Sequence, residues 1–292
     1  MKKLIAILIF VHIVFFLAGC NSTETGGNSS GGEGHLAELK EAGVVRIGFA
    51  NEKPYAYKDE NGELKGAAVE IAKEVFKELG VPEVEAHLAE FKQLIPGLQA
   101  GKYDVITAAM AIQPNRCERV DFGEPEIQYG EGLIVKKGNP SDLQSYTDIA
   151  NNPDITVAVM SGATEIGFLQ EMGVSKDQIL EVPDIPASFA AVESERADAT
   201  TGTEMTVKMA LESSNQTALE FVSDFEQPDI EGVPSYGAAA FRQDDDELRE
   251  AYNEVLTQLK EDGKILDLVT PSGFGEGNIV PLDLTTEQLC QG

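Results

Sequence analysis

Basic side chains are in short supply. The 292 residues carry 22 Lys and Arg against 50 Asp and Glu, a formal net charge of -28 at pH 7. Such a surface lacks the cationic footprint that phosphate backbones require, which excludes nucleic acid as a partner. Histidine is scarcer still, with 3 in the chain. His12 lies in an apolar leader, and neither His35 nor His87 has the neighbours of a metal site or a nucleophilic triad. No glycine loop of the P-loop type is present, so no phosphate cradle is expected. The long apolar run at residues 4 to 18 is shorter than the roughly 20 residues of a spanning helix. From this inventory we expect no catalytic residue, no cofactor and no metal ion.

Lys2 and Lys3 precede that run, and Leu17-Ala18-Gly19-Cys20 closes it. A cationic start, a short apolar stretch and small residues before a Cys define a secretory signal peptide over 1–19. The Cys directly after Leu-Ala-Gly resembles the lipobox of bacterial lipoproteins, and the resemblance implies cleavage before Cys20 and lipidation of that residue. A single-pass anchor is the competing reading, but no further apolar stretch supports it. Residues 20–35 then form a Gly/Ser/Asn-rich tether that holds a folded body off the membrane. The expected location is extracytoplasmic, at the cell surface or in the periplasm, anchored to the membrane through Cys20. Without Lys2 and Lys3 the formal charge falls from -28 to -30. Acidity of this size keeps a protein soluble in concentrated salt and points to a halophilic or halotolerant source.

Cysteine usage leaves one question open. With Cys20 lipidated, Cys117 and Cys290 remain as an even pair in an oxidising compartment. They either form a disulfide that staples the C-terminal tail to the first lobe or stand as two separate buried thiols, since spacing says nothing about their distance.

Strand-like and helical runs alternate along the remaining chain. Val44 to Ala50 reads as a strand, and over residues 67–79 the apolar Ile71, Ala72, Val75, Phe76 and Leu79 recur at helical spacing before Gly80. A short helix over 92–100, a strand over 104–109 and a strand over 131–137 follow. The second half repeats the scheme with strands at 155–160 and 198–201 and helices at 164–172, 188–196 and 203–211. The alternation predicts α/β architecture with parallel sheets. A strand at 235–241 followed by an amphipathic helix at 248–262 reads as a return to the first lobe. The chain is then expected to cross between lobes near 135–140 and again near 233–238, giving lobe 1 as 36–136 and 237–292 and lobe 2 as 137–236. A small ligand belongs in the cleft between them.

Gly62-Glu63-Leu64-Lys65-Gly66, Leu94-Ile95-Pro96-Gly97-Leu98, Gly101-Lys102-Tyr103-Asp104-Val105 and Arg116 resemble the solute-binding proteins of polar amino acid ABC transporters. The resemblance covers nearly all of the mature chain and implies a two-lobed type II periplasmic-binding-protein-like fold joined by two crossing strands. It further implies a partnership with ABC permease subunits and action as a monomer. Within that family Asn51-Glu52-Lys53-Pro54-Tyr55, Glu90-Phe91, Arg116-Cys117, Gly162-Ala163-Thr164-Glu165 and the tail Thr285 to Cys290 look most like the ectoine/hydroxyectoine-binding proteins. The implied ligand is a small zwitterionic compatible solute.

The residues suit such a ligand on their own chemistry. The guanidinium of Arg116 presents a rigid fork of donors that matches a carboxylate. Thr164, opening a helix in the second lobe, adds a hydroxyl and an N–H to the same carboxylate. Glu52 and Glu165 offer negative charge, and Tyr55 and Phe91 offer ring faces, to the cationic end. Two departures from the family pattern bear on the ligand. Binders of α-amino acids carry an Asp five residues after the Asp of an Asp-Ala motif, whereas Asp198-Ala199 is followed at that place by Thr203. A third aromatic is expected where Ala111 stands, leaving Tyr57 or Phe168 to fill the gap. Polar amino acids, betaine and proline stay open as ligands, as does a sensing role in place of transport. A cyclohexadienyl dehydratase-like enzyme is the remote alternative, with Glu52 and Glu165 as its acids.

Overall fold

The computed structural model describes residues 34–214 and 217–291. The expected signal peptide, Cys20 and nearly all of the tether lie outside the described residues. The described residues form one compact unit.

The first lobe opens with α1 (His35–Ala42), β1 (Val44–Phe49), the ribbon β2 (Tyr57–Lys58) and β3 (Leu64–Lys65), α2 (Ala67–Glu78) and β4 (Glu83–Leu88). It continues with α3 (Leu94–Gln99), β5 (Val105–Ala111), α4 (Pro114–Cys117), β6 (Asp121–Phe122) and β7 (Ile127–Tyr129). The second lobe holds β8 (Glu131–Lys136), α5 (Tyr146–Asn151), β9 (Val157–Met160), α6 (Glu165–Glu171), β10 (Ile179–Val182), α7 (Ile185–Glu193), β11 (Ala199–Thr203), α8 (Glu204–Ser214) and β12 (Leu219–Phe221). The chain returns through β13 (Ser235–Phe241), α9 (Asp246–Glu261), α10 (Lys264–Val269) and α11 (Thr286–Gln291) to complete the first lobe.

Each lobe is a sheet flanked by helices. The first has strand order β4-β1-β5-β13-β6, with β7 also on β13, and the second β10-β9-β11-β8-β12. The sheets are mixed rather than parallel throughout. β1, β4 and β5 run parallel, as do β9, β10 and β11, while β13 is antiparallel to β5 and β8 to β11. The antiparallel strands are the ones that enter a lobe from the other side, so the mixture follows from the two crossings.

The first crossing lies earlier than the sequence suggests. β7 pairs with β13 in the first sheet, and the next strand, β8, already pairs with β11 and β12 in the second. The chain therefore changes lobe at Gly130, not near 135–140. On the return, Ser235 is already opposite Tyr129 in the first sheet. A run as apolar as Gly132 to Val135 serves equally as the end of one sheet or the start of another, and pattern alone does not separate them.

α2 shows why these elements hold. Ala68, Ile71, Ala72, Val75 and Phe76 form one wholly buried stripe in the first lobe's core, each large side chain contributing about 1.5–3 kcal/mol by burial. β5 is buried at all seven positions, as a central strand covered on both faces must be. α1 is pinned by charge: His35 Nδ1 lies 2.5 Å from Asp245, itself bonded to Arg242, and His35 Nε2 lies 3.3 Å from Asp104, bonded to Arg46. Cys117 and Cys290 are disulfide-bonded, with Cα atoms 5.9 Å apart, tying α4 to α11.

Candidate ligand-binding site

The carboxyl ends of β1, β4, β5, β9 and β11 converge on one cavity, the place where parallel strands leave a crevice. Its empty space is about 450 Å3, part of it open to solvent. Glu52, Tyr55, Phe91, Arg116, Thr164, Glu165 and Thr203 all line it.

Glu52 follows β1 in a tight loop. Its N–H donates to Ala56 O at 2.8 Å, Tyr55 N–H donates back to Glu52 O at 2.9 Å, and the preceding Asn51 sits at φ 53. Its carboxylate accepts from Thr206 Oγ1 on α8 at 2.9 Å, a bond from one lobe to the other. Burial pushes the Glu52 carboxyl up to about 7, the bond from Thr206 opposing and the nearby Glu165 adding to it. Arg116, 8% exposed, sits on α4 just beyond β5. Its Nη1 donates to Ala111 O at 2.9 Å and its Nη2 crosses the cleft to Gly162 O at 3.0 Å. Burial draws its pKa down, against the pull of Tyr129, Glu165 and Glu52. Of five guanidinium N–H groups, three then remain to meet a ligand.

The lobes are closed on each other at this point. A Cβ on Gly162 would stand 3.0 Å from Lys92 Cβ, and Gly162 adopts φ +85. Only glycine combines that backbone with that approach.

Aromatic rings supply the rest. The Phe91 ring centroid lies 5.4 Å from the Arg116 guanidinium carbon, so Phe91 steadies the arginine as well as facing the cavity. Tyr55 is 2% exposed, and its buried Oη has no hydrogen-bond partner among the described residues. The third ring is Tyr129, which also lines the cavity, packs edge-on to Tyr55 at 5.2 Å and donates to Ala109 O at 2.7 Å. Neither residue expected to fill the place of Ala111 does so. Tyr57 takes the Lys53 ammonium over its ring, and Phe168 is packed in the second lobe's core. Tyr129 escaped the sequence reading because the crossing was set several residues too late, which left β7 unrecognised.

Two placements differ in detail from expectation. α6 begins at Glu165, and Thr164 does not cap it with its side chain; the Thr164 hydroxyl instead lies 3.4 Å from Glu165 Oε2. Thr203 ends β11 rather than opening a helix. Among the described residues no group of three His, Cys, Asp or Glu is arranged to hold a metal ion, and no helix is long and apolar enough to cross a membrane.

A two-lobed α/β body with a charged, aromatic-walled cleft at the strand ends defines a solute-binding protein of the type II periplasmic class. The chain belongs to the bacterial extracellular solute-binding proteins, family 3, whose model matches residues 45–271. A "Probable amino-acid ABC transporter periplasmic-binding protein" of Sinorhizobium fredii is 36% identical over 260 residues, covering 87% of this chain and 85% of that one. The glutamine-binding protein GlnH of Bacillus subtilis is 28% identical over 274 residues, 90% of this chain and 94% of that one. Among solved structures, EhuB in complex with hydroxyectoine superposes with a TM-score of 0.79 at 36% identity, covering 88% of this chain and 97% of that one. The protein is thus an amino-acid-type ABC transporter substrate-binding protein.

Proposed function

We propose that the protein captures ectoine or hydroxyectoine and delivers it to an ABC importer. The observation that carries this reading is a single buried arginine set against buried carboxylates inside a ring-walled cleft. Arg116, helped by Thr164, takes the solute's carboxylate. Glu52 and Glu165 face the delocalised cation, with Tyr55, Phe91 and Tyr129 packing its ring, and Thr203 leaves no acid where an α-ammonium would sit. The 36% identity to a protein solved with hydroxyectoine supports the same ligand class. The protein works as a monomer tethered through a lipidated Cys20, on the outer side of the membrane, with no covalent step.

A polar amino acid is the second reading, favoured by the glutamine-binding relative. Calorimetric titration of the soluble form lacking residues 1 to 20, in high salt, with ectoine, hydroxyectoine, proline, glycine betaine, glutamine and arginine separates the two. Tight binding of the ectoines alone upholds the proposal; silence toward them with binding of an amino acid overturns it. An ancestral amino-acid-binding protein described as a precursor of cyclohexadienyl dehydratase is 30% identical with a TM-score of 0.68. Turnover of prephenate or arogenate would therefore refute the non-enzymatic reading.

A further inference from the structure

Glu131 stands one residue past the crossing at Gly130, in the wall behind the cleft. It is 1% exposed, and its buried Oε2 meets no donor among the described residues. Its backbone is clamped, the N–H donating to Gln227 Oε1 at 2.8 Å and the C=O accepting from Gln227 Nε2 at 2.8 Å. In the ladder it is opposite Thr203, and the next pair is Gly132 with Gly202. A Cβ on Gly202 would lie 3.9 Å from Glu165 Oε1. Glu165 is thus close to the end of this strand pair, and its carboxyl and that of Glu131 come within hydrogen-bond reach of each other.

Carboxylates only accept hydrogen bonds, so two of them meet in this way only when one holds a proton. Among the described residues the groups that act on Glu131 include no cation in its place. Glu165 approaches from α6 and Glu52 from the loop after β1, while the buried, neutral phenols of Tyr55, Tyr129 and Tyr146 lie within electrostatic reach. Arg116 is drawn to Glu165 and Glu52. Burial, with Glu165 and then Glu52 adding, holds the Glu131 carboxyl well above the usual carboxylate range.

We propose that Glu131 is a protonated positioning residue whose acid O–H donates to the Glu165 carboxylate and fixes its aim into the cleft. The cleft then presents two ionisable acids to a cationic solute rather than three, and Glu165 is held from behind. The ligand-facing half of this inference rests on the solute-binding reading; the location of the proton does not.

Two measurements separate those halves. Infrared difference spectra of the ligand-free protein at neutral pH, wild type minus Glu131→Gln, are expected to show one protonated-carboxyl band lost with the substitution. The difference is needed because Glu126 is another buried acid pushed up to about 7. Site-resolved carboxyl NMR of the unsubstituted protein reads the same proton if the variant fails to fold. Absence of a protonated Glu131 by either method overturns the proposal. Titration with ectoine supplies the other half. Glu131→Gln, which keeps a donor, is expected to bind within about threefold of wild type, and Glu131→Leu, which has none, about tenfold or more weaker. Equal weakening by Gln and Leu overturns the positioning role. Failure of every form to bind ectoine sinks the ligand assignment, and the spectra still decide where the proton sits.

Discussion

Replacing Arg116 by alanine tests the cleft at its most exposed assumption. Arg116 is 8% exposed and makes two bonds to protein carbonyls, one within its lobe and one across the cleft to Gly162 O. Alanine removes the cross-lobe bond, the Phe91 contact and the only cation among the described residues that line the cavity. A ligand carboxylate enclosed there would lose its counter-charge, and stranding one partner of a buried pair costs about 3–5 kcal/mol. In affinity that is about two to nearly four decades. Calorimetric titration with ectoine measures it, and thermal unfolding without ligand checks that the fold persists. Arg116→Lys should recover only part of the loss, because an ammonium cannot bind both carboxylate oxygens while reaching Ala111 and Gly162. Affinity within about threefold of wild type for Arg116→Ala would refute the carboxylate clamp.

Other expectations follow from the same geometry. Ectoine affinity should fall as pH drops through about 7, because the raised Glu52 carboxyl takes up a proton there and ceases to attract a cation; a flat profile between pH 8 and 6 would contradict this. Thr206→Val breaks the bond to Glu52 across the lobes and should weaken closure by about 1.5–3 kcal/mol, the worth of a hydrogen bond to a charged group, read as faster ligand release in stopped-flow. Gly162→Ala places a Cβ against Lys92 and should leave the lobes apart in small-angle scattering even with ligand. His35 is raised from 6.5 to about 9, chiefly by its bonds to Asp104 and Asp245. Its contribution is complete below about 6.5 and lost as pH rises through 9, so stability should decline over that window in wild type and not in His35→Gln.

The chemistry of the site was more legible than its walls. Arg116, Glu52 and Glu165 announce themselves because charge at strand ends in a buried run has few other uses. Helices such as α2 and α9 declare themselves through apolar spacing, and their ends fall within two residues of the sequence reading. β4 was missed because it is an edge strand with no fully buried position, so Glu83, Glu85 and His87 alternate with Val84, Ala86 and Leu88 and leave no continuous apolar run of the kind that marks β5. Tyr129 and Glu131 were missed together, for they flank a crossing that local pattern set at 135–140. Glu131 in particular looks like any surface acid in the sequence. Only the register that sets it against Thr203, which lines the cleft, brings it behind the site.

That register also bears on how the protein comes into being. β13 lies between β5 and β6, so the middle of the first sheet is supplied by residues made more than a hundred positions later. The first lobe cannot finish while its own first half is the only part synthesised, and its disulfide waits for Cys290. The second lobe, whose strands are contiguous from β8 to β12, can be completed earlier. Pairings so distant in sequence form slowly. The lobe that carries Arg116 is therefore the last to become native, and the cleft acquires its cation only when the whole chain is present.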